Sequence, residues 1–319
     1  MIKYISISTP LVKNSKDFLN IKKITPIKSF KYLFKKVTFV GWGRKKSGLW
    51  AVFMSKITHN NFLLLEDGFI RSFGLGVEGS PSFSIVEDDI GIYYDATSPS
   101  RLENILNNYD FKNDKELMEK AKEAIEKIVE YKISKYNNFK NIDLDYLDNG
   151  KKKVLIIAQT AGDSSLEYGL GNKFTTKEMI DDAIADNPDS KIYIKIHPDV
   201  LCGKKSSDIN PQDIPKKCFI LKDNANPIDL LKYFNKIYTK TSGMGMEALL
   251  LGKEVHCYGM PFYAGWGLTR DKQRCSRRDR ICSINELFAG SYILYTTYFN
   301  PYTEKKSDII DIIRYIKQN

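Results

Sequence analysis

Three short segments collect the residues that could do chemistry: Gln159-Thr160-Ala161-Gly162-Asp163-Ser164-Ser165, Lys195-Ile196-His197-Pro198 and Thr241-Ser242-Gly243-Met244-Gly245-Met246-Glu247. In the third, Ser242 has the residue type of a helix N-cap. Gly243 and Gly245 fall in the first turn after it, where unpaired backbone N–H groups and the helix dipole favour an anion such as a phosphate. Glu247 comes about one turn later, where a carboxylate can accept hydrogen bonds from ribose hydroxyls; the same spacing equally suits a routine capping glutamate. His197 precedes Pro198, whose ring fixes the backbone and aims the imidazole at the same place. Of the other two histidines, His256 falls inside a strand-like run and His59 ends a helical one. Asp163 stands in a Gly-Asp-Ser-Ser loop. A carboxylate beside an anomeric carbon can act as nucleophile, giving a covalent glycosyl intermediate and net retention. Spacing by itself favours a plainer role for Asp163, an Asx-turn or a cap on the helix that follows.

Each segment directly follows a run with the length and composition of a strand. In doubly wound sheets ligands bind beyond the carboxyl ends of the strands, so these are the positions where chemistry is expected. The run Val154 to Ala158 is uninterruptedly apolar, as suits a parallel strand covered on both faces. Thr175 and Glu178 form a capping-box pattern that opens a helix through Ala185, with Pro188 beyond its end. Strands at Ile192 to Ile196, Phe219 to Leu221, Lys236 to Thr239 and Val255 to Tyr258, with helices opened at Asn226-Pro227 and Gly243, complete a β/α alternation that means a parallel sheet. The first third reads as strands Val37 to Val40, Phe62 to Leu65, Phe83 to Val86 and Ile92 to Tyr94. Between the last two, Glu87-Asp88-Asp89-Ile90-Gly91 reads as a hairpin turn in preference to an acidic metal site. Leu117, Ala121, Ala124, Ile125, Ile128 and Val129 recur at helical spacing and predict one amphipathic helix within 113–135. The polar stretch 137–153 that follows places a domain boundary near Gly150, dividing the chain into residues 1–149 and 150–319.

A chain of 319 residues is long for one core, and two domains are the default. Its 42% hydrophobic and 12% aromatic content can fill a core in each half, which excludes a disordered chain. No run of 18 or more uncharged apolar residues occurs, so neither a spanning helix nor a clear secretory signal is expected. Five cysteines without close CxxC pairing disfavour a disulfide framework and a zinc cage, and suit a reducing cytoplasm. Lysines and arginines outnumber acidic residues 49 to 39. That excess suits phosphates, acidic sugars or anionic lipid, or simply a solvated basic surface. The basic residues read as scattered and no RNA-binding or helix-turn-helix pattern occurs, which disfavours nucleic acid as partner.

Several strings carry a family likeness: Gly41-Trp42-Gly43-Arg44-Lys45-Lys46-Ser47-Gly48, Glu66-Asp67-Gly68-Phe69-Ile70-Arg71-Ser72, Gly91-Ile92-Tyr93-Tyr94-Asp95, and the long aromatic-glycine string from Tyr258 to Thr269, followed by Cys275 to Arg280. Over roughly Val37 to Pro301 the chain resembles the KpsC-type capsule β-Kdo transferases, Kdo being 3-deoxy-octulosonic acid. The resemblance implies an α/β, GT-B-like architecture of two Rossmann-like domains facing across a cleft, acceptor-side first and CMP-sugar-binding second, the latter with a C-terminal extension. It implies that Lys195, His197, Pro198, Ser242, Gly243 and Glu247 bind the donor nucleotide. Asp163 then matches the carboxylate that attacks the sugar in a retaining double displacement, and Glu66 or Asp67 supplies the general acid/base. Arg71 is expected to pair with a sugar carboxylate, and Arg44, Gln159, Ser164 and Tyr263 to line the substrate. No cofactor or metal is expected beyond the CMP-Kdo donor. The expected partners are a saccharide or lipid-linked glycan acceptor, capsule assembly proteins and the anionic inner face of the cytoplasmic membrane, on the cytoplasmic side.

Members of this family commonly carry two transferase modules, whereas one is present here. The runner-up enzyme reading is a transferase of the same fold that uses another CMP-activated acidic sugar, such as a sialic acid. A different class of reading is a non-catalytic basic module that binds polyanions, which predicts salt-dependent binding without any effect of CMP.

Overall fold

The computed structural model describes residues 3–319 except 34, 149, 197–199, 201–205, 208, 210, 211 and 213. The chain opens with β1 (Tyr4–Ser6), α1 (Thr9–Asn14), β2 (Ile21–Lys23), β3 (Thr38–Trp42), α2 (Lys46–Thr58) and β4 (Asn61–Asp67). These four strands lie parallel in the order β2-β1-β3-β4. β5 (Ser84–Asp88) then turns back antiparallel to β4. The expected strand at Ile92 to Tyr94 is instead a turn. The cause is Asp88, whose buried carboxylate accepts from the N–H groups of Ile90, Gly91 and Arg101 and from the Tyr295 hydroxyl, so the chain bends where it would have had to stay extended. α3 (Arg101–Asn108) and α4 (Lys115–Tyr131) follow. Asp114 caps α4 by accepting from the Leu117 N–H, and Leu117, Ala121, Ala124 and Ile128 form its buried stripe.

The second sheet begins with β6 (Lys153–Ile157), all of it buried, and continues through α5 (Ser164–Tyr168), α6 (Thr176–Asp186), β7 (Lys191–Lys195), β8 (Cys218–Leu221), α7 (Pro227–Leu231), β9 (Lys236–Thr239), α8 (Met244–Leu250), β10 (Glu254–Cys257) and β11 (Arg270–Asp271). The expected capping box opens α6. The strands are parallel in the order β8-β7-β6-β9-β10-β11, the Rossmann winding, with its reversal between β6 and β9.

After α9 (Ile284–Phe288) the chain leaves this sheet. β12 (Thr296–Asn300) pairs antiparallel with β5, β13 (Lys305–Ser307) pairs with β12, and α10 (Ile309–Gln318) packs on α4, where Lys120 reaches Asp308. Residues 296–318 thus belong to the first sheet, although 150–319 was expected as one consecutive unit. Without β12 the outer edge of β5 would be an unpaired strand. Among the described residues no helix is long and apolar enough to cross a membrane.

The two halves share one core. Phe69 from the first half stacks within 4.6 Å of Phe262 and 4.8 Å of Tyr292. Beside it, the buried Glu103 of α3 takes both Arg277 (2.9 Å) and Arg278 (3.0 Å), and Arg278 also donates to the carbonyls of Pro261 and Ala264. The aromatic-glycine string is therefore clamped to α3 across the domain boundary. The architecture is α/β and GT-B-like, two Rossmann-like halves facing across a cleft.

Candidate active site

From the first half, β4 carries Glu66 and Asp67 at its carboxyl end. Trp42, at the end of the neighbouring β3, donates its indole N–H to Glu66 Oε1 at 2.7 Å, and the Asp67 N–H donates to the same oxygen at 3.2 Å. Gly43 is in the left-handed region (φ 36°), and a Cβ there would clash with the Tyr94 hydroxyl and lie 2.7 Å from Glu66 Oε2, so the glycine makes room for both. Burial pushes the Glu66 carboxyl up from 4.5 to about 7, and the charge of Asp67 adds to the rise. Lys135, the Asp67 N–H and Lys45 pull against it. Asp67 has a different partner, the Arg71 guanidinium, with Nε 3.3 Å from Oδ1.

Arg71 was expected to meet a sugar carboxylate. It is buried, and besides the Nε contact with Asp67 its Nη1 donates to Ser72 Oγ (2.9 Å) and the Ser80 carbonyl (2.6 Å), so two of its three nitrogens hold its own loop. Arg44 likewise has internal partners. It donates to Asp95 Oδ2 and Ser98 Oγ, both at 2.6 Å, while its guanidinium lies 5.7 Å above the ring of Tyr168 from the second half.

In the second half, the loops after β6 and β9 meet at the strand-order reversal. Gln159 Oε1 accepts from the Thr241 N–H at 2.7 Å, and Gln159 Nε2 donates to Thr241 Oγ1 at 3.0 Å. Gln159 thus braces the two loops together. Ser165 Oγ sits 3.0 Å from the same threonine hydroxyl. Asp163 is the N-cap of α5, its Oδ1 accepting from the Ser165 N–H at 2.8 Å, with Ser164 the first helical residue. Its side chain is exposed, and Oδ2 accepts no hydrogen bond among the described residues. Capping therefore uses one oxygen and leaves the other pointing to solvent.

Lys195, at the end of β7, donates to the Asp223 carbonyl at 3.0 Å, and burial pulls its pKa down, with Asp223 opposing. His197 and Pro198 lie outside the described residues. Ser242 was expected as the N-cap of α8; that position is Gly243, and Ser242 stands one residue earlier, its Oγ still accepting the Met244 N–H at 3.3 Å. Tyr263, expected at the substrate, is fully buried. Its hydroxyl donates to the Ser242 carbonyl at 2.5 Å, and a Cβ at Gly245 would clash with it. Tyr263 thus shapes the turn from beneath. His256 is stacked 4.3 Å from Tyr238 and bonded to Glu254 within the sheet, as its strand position implied.

Glu247 is buried and faces the first half. It accepts from the Ser134 hydroxyl and the Lys135 N–H; burial pushes its carboxyl up to about 7, while these hydrogen bonds and the Lys135 charge oppose the rise. Lys135, which the sequence reading passed over, joins the two halves. Its N–H reaches Glu247, and its carbonyl accepts from the N–H groups of Arg71 (2.9 Å) and Ser72 (3.4 Å). Burial alone would lower the ammonium's pKa, but Tyr93, Asp67, Tyr136 and Glu66 together more than reverse that and raise it. Burial raises the Tyr93 hydroxyl in turn, and Glu66, Asp67 and Asp163 all add to that rise while Lys135 opposes it. Glu66, Asp67, Tyr93, Lys135 and Asp163 therefore share one electrostatic neighbourhood spanning both halves. It offers a carboxyl poised near neutrality, a cation, and a carboxylate with a free oxygen. Among the described residues no group of three His, Cys, Asp or Glu converges to hold a metal ion.

The family described as capsule polysaccharide biosynthesis protein matches residues 38–300. The capsule polysaccharide modification protein LipA of Neisseria meningitidis serogroup B is 40% identical over 286 residues, which cover 87% of this chain and 40% of LipA. The lipopolysaccharide-processing protein LpsZ of Rhizobium meliloti is 37% identical over 235 residues, 73% of this chain and 53% of LpsZ. The chain thus spans about half or less of the length of these curated relatives. Among solved structures, the β-Kdo 2,4 transferase of Thermosulfurimonas dismutans KpsC superposes with a TM-score of 0.89 at 41% identity, covering 99% of this chain and 98% of that one. The β-Kdo 2,7 transferase of the same KpsC gives 0.77 at 29% identity, with the same coverage.

Proposed function

The chain belongs to the capsule polysaccharide biosynthesis protein family, and from that premise we propose that it is a glycosyltransferase moving Kdo from CMP-β-Kdo to a saccharide or glycolipid acceptor. The observation that carries this reading is the superposition along nearly the whole chain on a β-Kdo 2,4 transferase. The lower likeness to the 2,7 transferase favours a 2,4 linkage. In this reading the nucleotide lies in the crevice where the second sheet reverses, with Lys195, Ser242 and Gly243 around its phosphate. Backbone and side-chain donors neutralise the phosphate there, so no metal is required.

Asp163 attacks the anomeric carbon with its free oxygen. The bond to Kdo forms as the bond to the CMP phosphate breaks, leaving a glycosyl-enzyme of inverted configuration. The acceptor hydroxyl then attacks the same carbon, gives its proton to Glu66 and releases the Asp163 carboxylate, which restores the β configuration. Glu66 suits the proton transfer better than Asp67, because its carboxyl is poised near neutral pH while Asp67 is engaged with Arg71. Arg71, two of whose nitrogens hold its own loop, and Lys135, whose charge acts on Glu66 and Asp67, are the cations that face the sugar carboxylate. The enzyme works on the cytoplasmic side of the inner membrane, together with capsule assembly proteins.

The test is incubation with enzymatically generated CMP-Kdo and a short Kdo-terminated glycolipid, in EDTA and with magnesium, the product being read by mass and anomeric configuration. A β-linked product formed in EDTA is expected. Transfer from CMP-sialic acid but not CMP-Kdo would overturn the donor, and an α-linked product would overturn the double displacement.

A further inference from the structure

We infer that the outward faces of the 3-10 segment Pro26–Tyr32 and of α2 form one docking surface for an anionic membrane. On the first, Ile27 (84% exposed), Phe30 and Leu33 recur every third residue, the spacing that lines side chains along one edge of a 3-10 turn. On α2, Leu49, Phe53 (58% exposed) and Ile57 recur every fourth residue and line one face of an α-helix. The opposite faces explain why the two rows adjoin. Tyr32 from the first element packs with Ala51 and Met54 of α2 over Phe39 in one buried cluster, and Asn60 beyond α2 donates to the Tyr32 carbonyl. Six large apolar side chains left in water on neighbouring elements are more than scattered surface residues of a monomer require.

The charge pattern selects the occupant. Between Asp17 and Glu66 the chain carries ten lysines and arginines and no acidic residue, so its 49 basic and 39 acidic residues balance everywhere else. The whole net charge of +10 resides in this segment. Lys28, Lys31 and Lys35 flank the first apolar row, and Lys45, Lys46 and Lys56 flank the second, all of them exposed. Apolar side chains that reach the acyl boundary, rimmed by lysines at headgroup level, fit an anionic lipid surface. A polyanionic saccharide would leave the apolar rows unused, and a second copy of the chain would bring lysine against lysine.

Docking also orients the cleft. α2 begins directly after Gly43 and Arg44, and Lys45 acts on the Glu66 carboxyl, so a bilayer lying on α2 sits beside the mouth of the site. A lipid-linked acceptor would enter there; that consequence rests on the transferase reading, whereas the docking itself does not.

The test is flotation of the full chain with phosphatidylcholine vesicles, with or without phosphatidylglycerol, at low and high salt. The wild type should float with the anionic vesicles at low salt. Phe30→Ser/Phe53→Ser should float about tenfold less or worse, since each ring withdrawn from the interface forfeits a transfer free energy of that order. Lys28→Ser/Lys31→Ser should lose preference for the anionic vesicles. Thermal midpoints and turnover of a soluble acceptor should stay unchanged in both variants. Wild type that fails to float, or a Phe variant that floats as well as wild type, would overturn the surface. So would a wild-type dimer in light scattering that the Phe substitutions dissociate without any vesicle binding. A chain that floats but transfers no Kdo would refute the transferase reading and leave the docking surface standing.

Discussion

Glu66→Gln should make the protein more stable and almost inactive, and the stability gain should depend on pH. Burial raises the folded carboxyl from 4.5 to about 7, so the folded chain holds this proton more tightly than the unfolded one. The stabilising contribution is complete below pH 4.5 and is lost as pH rises through about 7. Over that span, at about 1.4 kcal/mol for each pH unit, the penalty for ionising Glu66 in the folded chain is on the order of 3 kcal/mol. Glutamine keeps the oxygen that accepts from Trp42 Nε1 and the Asp67 N–H, but never ionises. At pH 8 it should therefore be more stable than wild type by up to roughly that amount, or about 5 °C in thermal midpoint for a chain of this size. At pH 4 the two should coincide. Glu247 contributes a similar slope to both proteins and cancels in the difference. Activity should fall about a hundredfold or more, and the acidic limb of kcat/KM near pH 7 should disappear. Thermal scans at pH 4, 6 and 8 with a pH–rate series measure both. A gain equal at all three pH values, a loss at pH 8, or retained activity would refute the reasoning.

Three further outcomes follow from the same geometry. Lys135→Met removes a charge that lowers Glu66, so the acidic limb of kcat/KM should move to higher pH as the rate falls, while Lys135→Arg should keep the limb near its original place; a limb unmoved in the Met variant counts against this. Asp163→Asn should abolish transfer and leave CMP affinity within a few-fold by calorimetry, because asparagine caps α5 almost as well, costing under ~1 kcal/mol; an active Asn variant would remove Asp163 from the chemistry. Arg278→Met leaves Glu103 only partly compensated and the carbonyls of Pro261 and Ala264 without their donor, and should destabilise by about 3 kcal/mol or more in urea unfolding.

The second half was largely legible because its signals are local. β6 to β10 are short apolar runs bounded by turn residues, and the Thr175 capping box fixes the start of α6; in the first half the periodic stripe does the same for α4. Strand-end positions then led to Gln159, Asp163, Lys195 and Ser242 without any contact being known. What failed was long-range. Tyr263 has the residue type of a ligand-binding group, but its partner, the Ser242 turn, lies many residues away, and nothing in spacing reveals that its hydroxyl is already satisfied. Lys135 was missed for the converse reason. It sits just beyond the end of α4, at the last position of the stretch whose periodicity predicts that helix, where a lysine reads as part of the solvated face, and only folding brings Glu66, Asp67, Arg71 and Glu247 around it. The turn at Ile92 to Tyr94 was read as a strand because apolarity marks burial, and burial there comes from the interdomain core.

The return of residues 296–318 to the first sheet sets an order of events during synthesis. A ribosome delivers β1 to β5 first, yet β5 acquires its outer neighbour only when residues about 210 positions further along have emerged. The second sheet, complete by Asp271, has all its strands available earlier. The half made first is thus finished last, and through most of translation it presents an open strand edge and the bare apolar stripe of α4. Closing it joins segments far apart in the chain, a slow kind of contact to form. Of the two halves, the one made earlier is the more exposed to misassembly, and a chaperone serving it would have to hold that half until β12 arrives.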